Sequence, residues 1–185
     1  MTSRHLLTAL LILCATAVPA RAQLRTGPFE GHLTGFVGDA LPTDGATTRM
    51  WGGSVSVIDP SGWGAEVDAG VTRGGNVRSG ALDVQAYTVG PIYQRVHGRL
   101  RPYATAALGT MRIRGCLSEC ETVGVWNAWG VAAGAGLQLR VSESFAVRGE
   151  GRFFSAARDE RNPARPASYQ FWRVSAGLTW SWEVS

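Results

Sequence analysis

The sequence predicts an all-β chain, an eight-stranded antiparallel up-and-down transmembrane β-barrel. Three observations carry this reading. Apolar residues alternate with small or polar ones in segments of about ten residues, the length of a tilted membrane-crossing strand. Eight such segments occur, an even number. The connections between them alternate between long polar stretches and mostly shorter ones, as in barrels with long loops at one end and short turns at the other.

The chain opens with a segment that stands outside this pattern. Arg4 is followed by an apolar run over residues 6 to 18 and then by Ala20-Arg21-Ala22, a small-x-small cleavage signal. Residues 1 to 22 therefore read as a secretory signal peptide. The run is shorter than the ~20 apolar residues of a membrane-spanning helix. Leu13 precedes Cys14 where a lipoprotein signal requires a small residue, which excludes lipidation there. Residues 23 to 185 remain as one barrel domain. The 24 glycines argue against a helical protein, since each interior glycine costs a helix about 1 kcal/mol relative to alanine. A net charge of +4 with arginines spread along an exported chain does not make a nucleic-acid surface.

Strands are expected in order at residues 30 to 38, 48 to 58, 63 to 72, 81 to 92, 102 to 114, 129 to 141, 145 to 154 and 169 to 182. The third, WGAEVDAGVT, sets Trp63, Ala65, Val67, Ala69 and Val71 against Gly64, Glu66, Asp68, Gly70 and Thr72. The sixth, WGVAAGAGLQLRV, sets Trp129, Val131, Ala133, Ala135, Leu137 and Leu139 against a row of Gly130, Ala132, Gly134 and Gly136. The seventh places Arg148, Glu150 and Arg152 at i, i+2 and i+4, a row that shares a face only on a strand. The connections read GDALPTDGAT, DPSG, RGGNVRSG, QRVHGRL, GCLSECETVG, SES and AARDERNPARPAS. In an exported chain, Cys116 and Cys120 of GCLSEC read as a local disulfide. A metal site is the alternative, but it needs further ligands that no nearby histidine supplies.

The last strand, SYQFWRVSAGLTWSWEVS, fixes which face meets which surroundings. Trp172, Trp180 and Trp182 take even positions and Arg173, Ser175 and Thr179 odd ones. From Trp172 to Trp182, ten residues at ~3.3 Å with a tilt near 40 to 45° reach roughly 24 Å in height, about one apolar membrane band. Trp63, Trp129, Trp172 and Trp182 are thus expected at the membrane interfaces. Charges turned to lipid at mid-bilayer cost ~2 to 4 kcal/mol, so an interior network is expected from Glu66, Asp68, Arg112, Arg114, Arg148, Glu150, Arg152 and Arg173. Eight strands leave room only for side chains to fill the inside, and the glycine row makes that room. A Ser142-Glu143-Ser144 turn would set Gly136 opposite Glu150 and Gly134 opposite Arg152.

At these residues the chain resembles the small outer-membrane β-barrels of the OmpA-like and OmpX-like group. SAGLTWSW, with Ser175, Gly177, Trp180 and Trp182, matches the C-terminal assembly signal of that family. RPYATAALG over residues 101 to 109 is similar to a recurrent strand phrase of such barrels. Family members commonly end on the final aromatic, whereas this chain continues with Glu183-Val184-Ser185. The resemblance implies a monomeric barrel in the cell outer membrane. It also implies contact with outer-membrane lipids, periplasmic chaperones and the barrel-insertion machinery, and no cofactor.

Loops carry function on rigid scaffolds, so a structural or surface-interaction role is expected, with a surface ligand held by loops such as the arginine-rich AARDERNPARPAS. A small pore or carrier for ions or solutes is the alternative. An outer-leaflet lipid-modifying enzyme is disfavoured because His32 and His97 belong to no hydrolase motif. A soluble lipocalin-type barrel would need the inverse pattern, apolar inside and polar outside.

Overall fold

The computed structural model describes residues 28 to 43, 47 to 72, 83 to 117, 122 to 156 and 169 to 184, with backbone alone over 115 to 117 and 122 to 126. Eight antiparallel strands close into a barrel in chain order. They are β1 (Phe29–Pro42), β2 (Thr48–Ile58), β3 (Trp63–Thr72), β4 (Asp83–Gln94), β5 (Leu100–Leu117), β6 (Thr122–Arg140), β7 (Phe145–Ala156) and β8 (Tyr169–Val184). The seam between β1 and β8 runs from Phe29↔Val184 to Pro42↔Phe171, so no strand edge is left open. The expected leader at residues 1 to 22, Cys120, the Cys116 side chain and residues 157 to 168 lie outside the described residues.

Alternation sets the faces of every strand. On β8, Phe171, Arg173, Ser175, Thr179 and Ser181 are buried, while Trp172, Val174, Leu178 and Trp180 are exposed. On β3 the buried residues are Glu66, Asp68 and Thr72, with Trp63 and Val67 outside. The outer surface is accordingly apolar and much of the inside is polar, the reverse of a water-soluble protein.

Two tight turns fix register at the end of the barrel that carries the termini. Asp59 caps the β2–β3 turn by accepting from Ser61 N at 2.7 Å and Trp63 N at 3.1 Å, while Gly62 takes φ 96°. Slight burial would raise the Asp59 carboxyl, but the hydrogen bonds from Ser61, Trp63 and Gly62 outweigh it and hold the carboxyl below the ordinary aspartate value. The β4–β5 connection closes with a pair of backbone hydrogen bonds between His97 and Leu100, at 2.9 and 3.0 Å, around Gly98 at φ 61°. Positive φ suits a two-residue hairpin and favours glycine there. At the third turn Val141 N donates to Phe145 O at 2.9 Å, which sets Gly136 opposite Glu150 and Gly134 opposite Arg152.

Strand lengths differ from the sequence reading at the opposite end. β5 runs to Leu117 and β6 begins at Thr122, pairing Cys116↔Val123 and Gly115↔Gly124. Most of GCLSECETVG, expected as a loop, thus continues the β5–β6 ladder. β1 likewise extends through Pro42, past the Gly38 at which its loop was expected to begin. These extensions rise beyond the apolar belt, where period-two hydrophobicity has no physical cause and the pattern fades.

Candidate functional site

The inside of the barrel is the candidate site, and it begins with the charged row of β7. Arg148, Glu150 and Arg152 point inward and meet Glu66 and Asp68 from β3 and Arg173 from β8. Arg148 Nη2 lies 2.7 Å from Glu66 Oε2 and 2.6 Å from Glu150 Oε2. Arg152 ion-pairs with Glu66 through Nη2, and its Nε lies 2.8 Å from Glu150 Oε1. Arg173 grips Asp68 with both Nη atoms at 2.9 Å and reaches Glu150 Oε1 at 2.7 Å. Three guanidinium groups thus face three carboxylates, and the cluster is neutral. Buried charges are tolerated when they are paired and hydrogen-bonded in this way.

Aromatic rings complete the cluster. Tyr103 of β5 donates its hydroxyl to Glu150 Oε2 at 2.8 Å and accepts from Arg148 Nε at 2.6 Å. The Arg148 guanidinium lies 4.2 Å from the Tyr103 ring centre, and that of Arg173 lies 4.2 Å from the Phe36 ring centre. Cation–π contacts of this kind add roughly 0.5 to 2 kcal/mol. RPYATAALG was read as a strand phrase, with no role for its tyrosine. The signal that finds Tyr103 is its parity, since it shares the inward face with Thr105 and Ala107.

The glycine row of β6 makes the space. A methyl group at Gly136 would collide with the Tyr103 hydroxyl and with Gly149 O, and one at Gly134 would press on Arg152 Cβ at 3.0 Å. Gly136→Ala should therefore destabilise the barrel by about 1 to 3 kcal/mol, the usual overpacking range. Urea unfolding followed by tryptophan fluorescence measures it, and an unchanged midpoint would show that the Tyr103 ring yields freely.

Arg112 and Arg114 do not join the network, which corrects the sequence reading. Both are exposed on the outer face of β5, while Met111 and Ile113 fill the inside. β5 keeps its alternation from Tyr103 upward without a bulge, so even positions must face out.

Above and below the network the inside changes character. Toward the loop end it is apolar, with Met50, Met111, Ile113 and the stacked pair Phe154 and Phe171, 4.6 Å apart. Toward the terminal end it is polar, with Thr34 bonded to Thr179 at 2.9 Å and Gln94 donating to Gln138 at 2.9 Å. There Arg101 holds both oxygens of Glu30 at 2.7 Å. His32 Nδ1 lies 3.2 Å from Ser181 Oγ, and His32 Nε2 stands 3.9 Å from Glu30. The sequence reading paired none of these groups: Arg101 meets Glu30 and Gln94 meets Gln138 across the lumen, while Thr34 meets Thr179 and His32 meets Ser181 across the β1–β8 seam.

The free space is equally uneven. A cavity of about 750 Å³ opens at the terminal end among Glu30, Arg99, Arg140, Ser181 and Trp182. At the level of the network a small cavity of about 10 Å³ lies between Phe36, Asp68, Arg148 and Arg173. That is room for at most a single water.

Outside, aromatic rings collect at two heights. Trp63 packs on Tyr93 at 4.9 Å and Trp180 on Trp182 at 5.1 Å near the terminal end. Trp172 packs on Phe153 at 5.3 Å toward the loop end, where Trp51, Tyr87 and Trp129 are also exposed. Trp182 is partly covered because its ring lies over Gly31 of β1.

Neither a protein-family model nor a curated protein sequence matches the chain. Among solved structures it is similar to the N-terminal β-barrel domain of Pseudomonas aeruginosa OprF, at 16% identity over 83% of this chain and 97% of that one, with a TM-score of 0.61. Neisserial surface protein A matches at 14% identity over 82% of this chain and 96% of its own, with a TM-score of 0.64. The fold is that of the small eight-stranded outer-membrane barrels. Ail, the attachment invasion locus protein of Yersinia pestis, shares this barrel at 14% identity over 85% of this chain and all of its own, with a TM-score of 0.56. In this chain Arg148, Arg152 and Arg173 with Glu66, Asp68 and Glu150 form one compact layer between an apolar and a polar compartment.

Proposed function

We propose that the protein is an integral outer-membrane barrel with a closed lumen, whose role is structural or exercised through its loops on surface ligands. The observation that carries this reading is the pairing of an apolar outer belt with an interior closed by a neutral ion-pair layer. Lipid requires every backbone group to be satisfied within the sheet, and a closed barrel achieves that. The two aromatic levels suit the two membrane interfaces, with Trp63 and Trp182 at the periplasmic one and Trp129 and Trp172 at the outer one. A lipocalin-type barrel would be polar outside, and the exposed Val67, Leu108, Val131 and Leu178 argue against that.

On this reading residues 1 to 22 direct export and are removed, and both termini face the periplasm. Ser175, Gly177, Trp180 and Trp182 serve as the assembly signal for the insertion machinery. Cell fractionation with gels of boiled and unboiled samples tests the membrane assignment. A chain found in the soluble fraction, with no heat-dependent mobility shift, would sink it.

Pore function has a separate test. Reconstituted protein should show no steady ion conductance in a planar bilayer, because the ion-paired side chains of the charged layer are almost wholly buried and occupy the lumen at that level. Stable open channels in the wild-type protein would replace the structural reading with the pore.

A further inference from the structure

We infer that Arg112 and Arg114 form a binding site on the outer wall of the barrel for the phosphate of an anionic outer-leaflet lipid headgroup. The inference rests on the outer-membrane reading and names a lipid class for it. Both side chains are exposed and project outward from adjacent same-face positions of β5. Two residues on one face of a strand stand about 6.6 Å apart, so both guanidinium groups reach one phosphate.

Their height suits a headgroup. Thr110, on the same face, pairs with Tyr87 on one side and Trp129 on the other, and both rings are exposed at the outer aromatic level. Arg112 is therefore two residues beyond the girdle and Arg114 four. With a tilt near 40 to 45° these steps rise roughly 5 and 10 Å above the rings, out of hydrocarbon and into the headgroup layer. An outward arginine there costs ~0 to 1 kcal/mol, against ~2 to 4 at mid-bilayer.

Among the described residues neither arginine is held in an ion pair. Arg112 stands between Gln85 and Asn127, both neutral. Arg114 stands opposite Asp83, whose carboxylate accepts from the Thr72 hydroxyl at 3.4 Å, and among the described residues no ion pair joins Asp83 to Arg114. Elsewhere on the same rim the protein does neutralise its arginine, since Arg49 Nε lies 2.8 Å from Asp39 Oδ1. A guanidinium fork matches two phosphate oxygens at once, in a layer drier than bulk water.

Native mass spectrometry of the folded protein in dodecyl maltoside tests the site, with dihexanoyl phosphatidic acid, dihexanoyl phosphatidylcholine and inorganic phosphate as separate probes. Wild type should hold one phosphatidic acid in preference to phosphatidylcholine. R112Q/R114Q should weaken that adduct at least tenfold, at about fivefold for each arginine. R112K/R114K, which keeps the charge without the fork, should fall between the two, and R49Q should change binding less than twofold. Unboiled gel mobility confirms that each variant is folded. Unchanged phosphatidic acid binding in R112Q/R114Q overturns the proposal. So does inorganic phosphate binding as tightly as the lipid, which would mark a site for soluble anions. A chain that stays folded in water without detergent rejects the outer-membrane reading itself, whereas a detergent-dependent barrel with unaltered adducts rejects only the lipid site.

Discussion

Arg173→Met should destabilise the folded barrel by about 3 to 5 kcal/mol, the cost of removing one partner from a buried ion pair. Methionine fills most of the arginine's volume, so the loss comes from charge and not from a cavity. The substitution takes both 2.9 Å bonds from Asp68, leaving it only Arg152 Nη1 at 3.6 Å among the described cations, and removes one of the cations around Glu150. The Asp68 and Glu150 side chains are almost wholly buried, so water cannot replace what is lost. Adding Asp68→Leu should recover part of the stability, because two apolar groups then replace a broken pair. Reversible urea unfolding in lipid vesicles measures both variants. A loss under 1 kcal/mol for Arg173→Met would mean that the three carboxylates are satisfied without it.

Trp180→Ser with Trp182→Ser should cut the amount of folded barrel in the outer membrane severalfold. Two separate effects meet at these residues. Each ring removes apolar surface from water, on the order of 1.5 to 3 kcal/mol per large side chain. Trp180 does so on the outer face and Trp182 by covering Gly31 across the seam that closes the sheet. The rings also belong to the proposed assembly signal. Trp172→Ser separates the two effects, since Trp172 is similarly exposed on the same strand but precedes Ser175. It should impair refolding into vesicles while leaving cellular assembly near normal. Wild-type levels of the double variant in cells, judged by heat-dependent gel mobility, would remove the assembly role.

Much of this molecule is legible in its alternation. WGAEVDAGVT and FAVRGEGRFF place Glu66, Asp68, Arg148, Glu150 and Arg152 on the inward faces that the structure shows. The three-residue SES turn was enough to set β7 against β6. Arg112 and Arg114 show how the same reasoning fails when charge is weighed above parity. Arginine is costly toward lipid only within the apolar belt, and sequence alone gives no height for a residue on β5. The β5–β6 ladder runs longer than its alternation predicts for the same reason.

The sequence by itself determined the strand count, the closed all-β architecture and which face of β3, β7 and β8 carries charge, because a period of two and the cost of lipid-exposed charge act residue by residue. The tertiary structure alone decided who meets whom across the lumen. Glu66 and Arg148 are 82 positions apart, and Tyr103 and Glu150 are 47 apart. Those meetings depend on the stagger accumulated around eight strands, which no single turn specifies. The stagger places the three carboxylates within reach of three arginines in the middle of the barrel and leaves Arg112 and Arg114 on the outer face of β5.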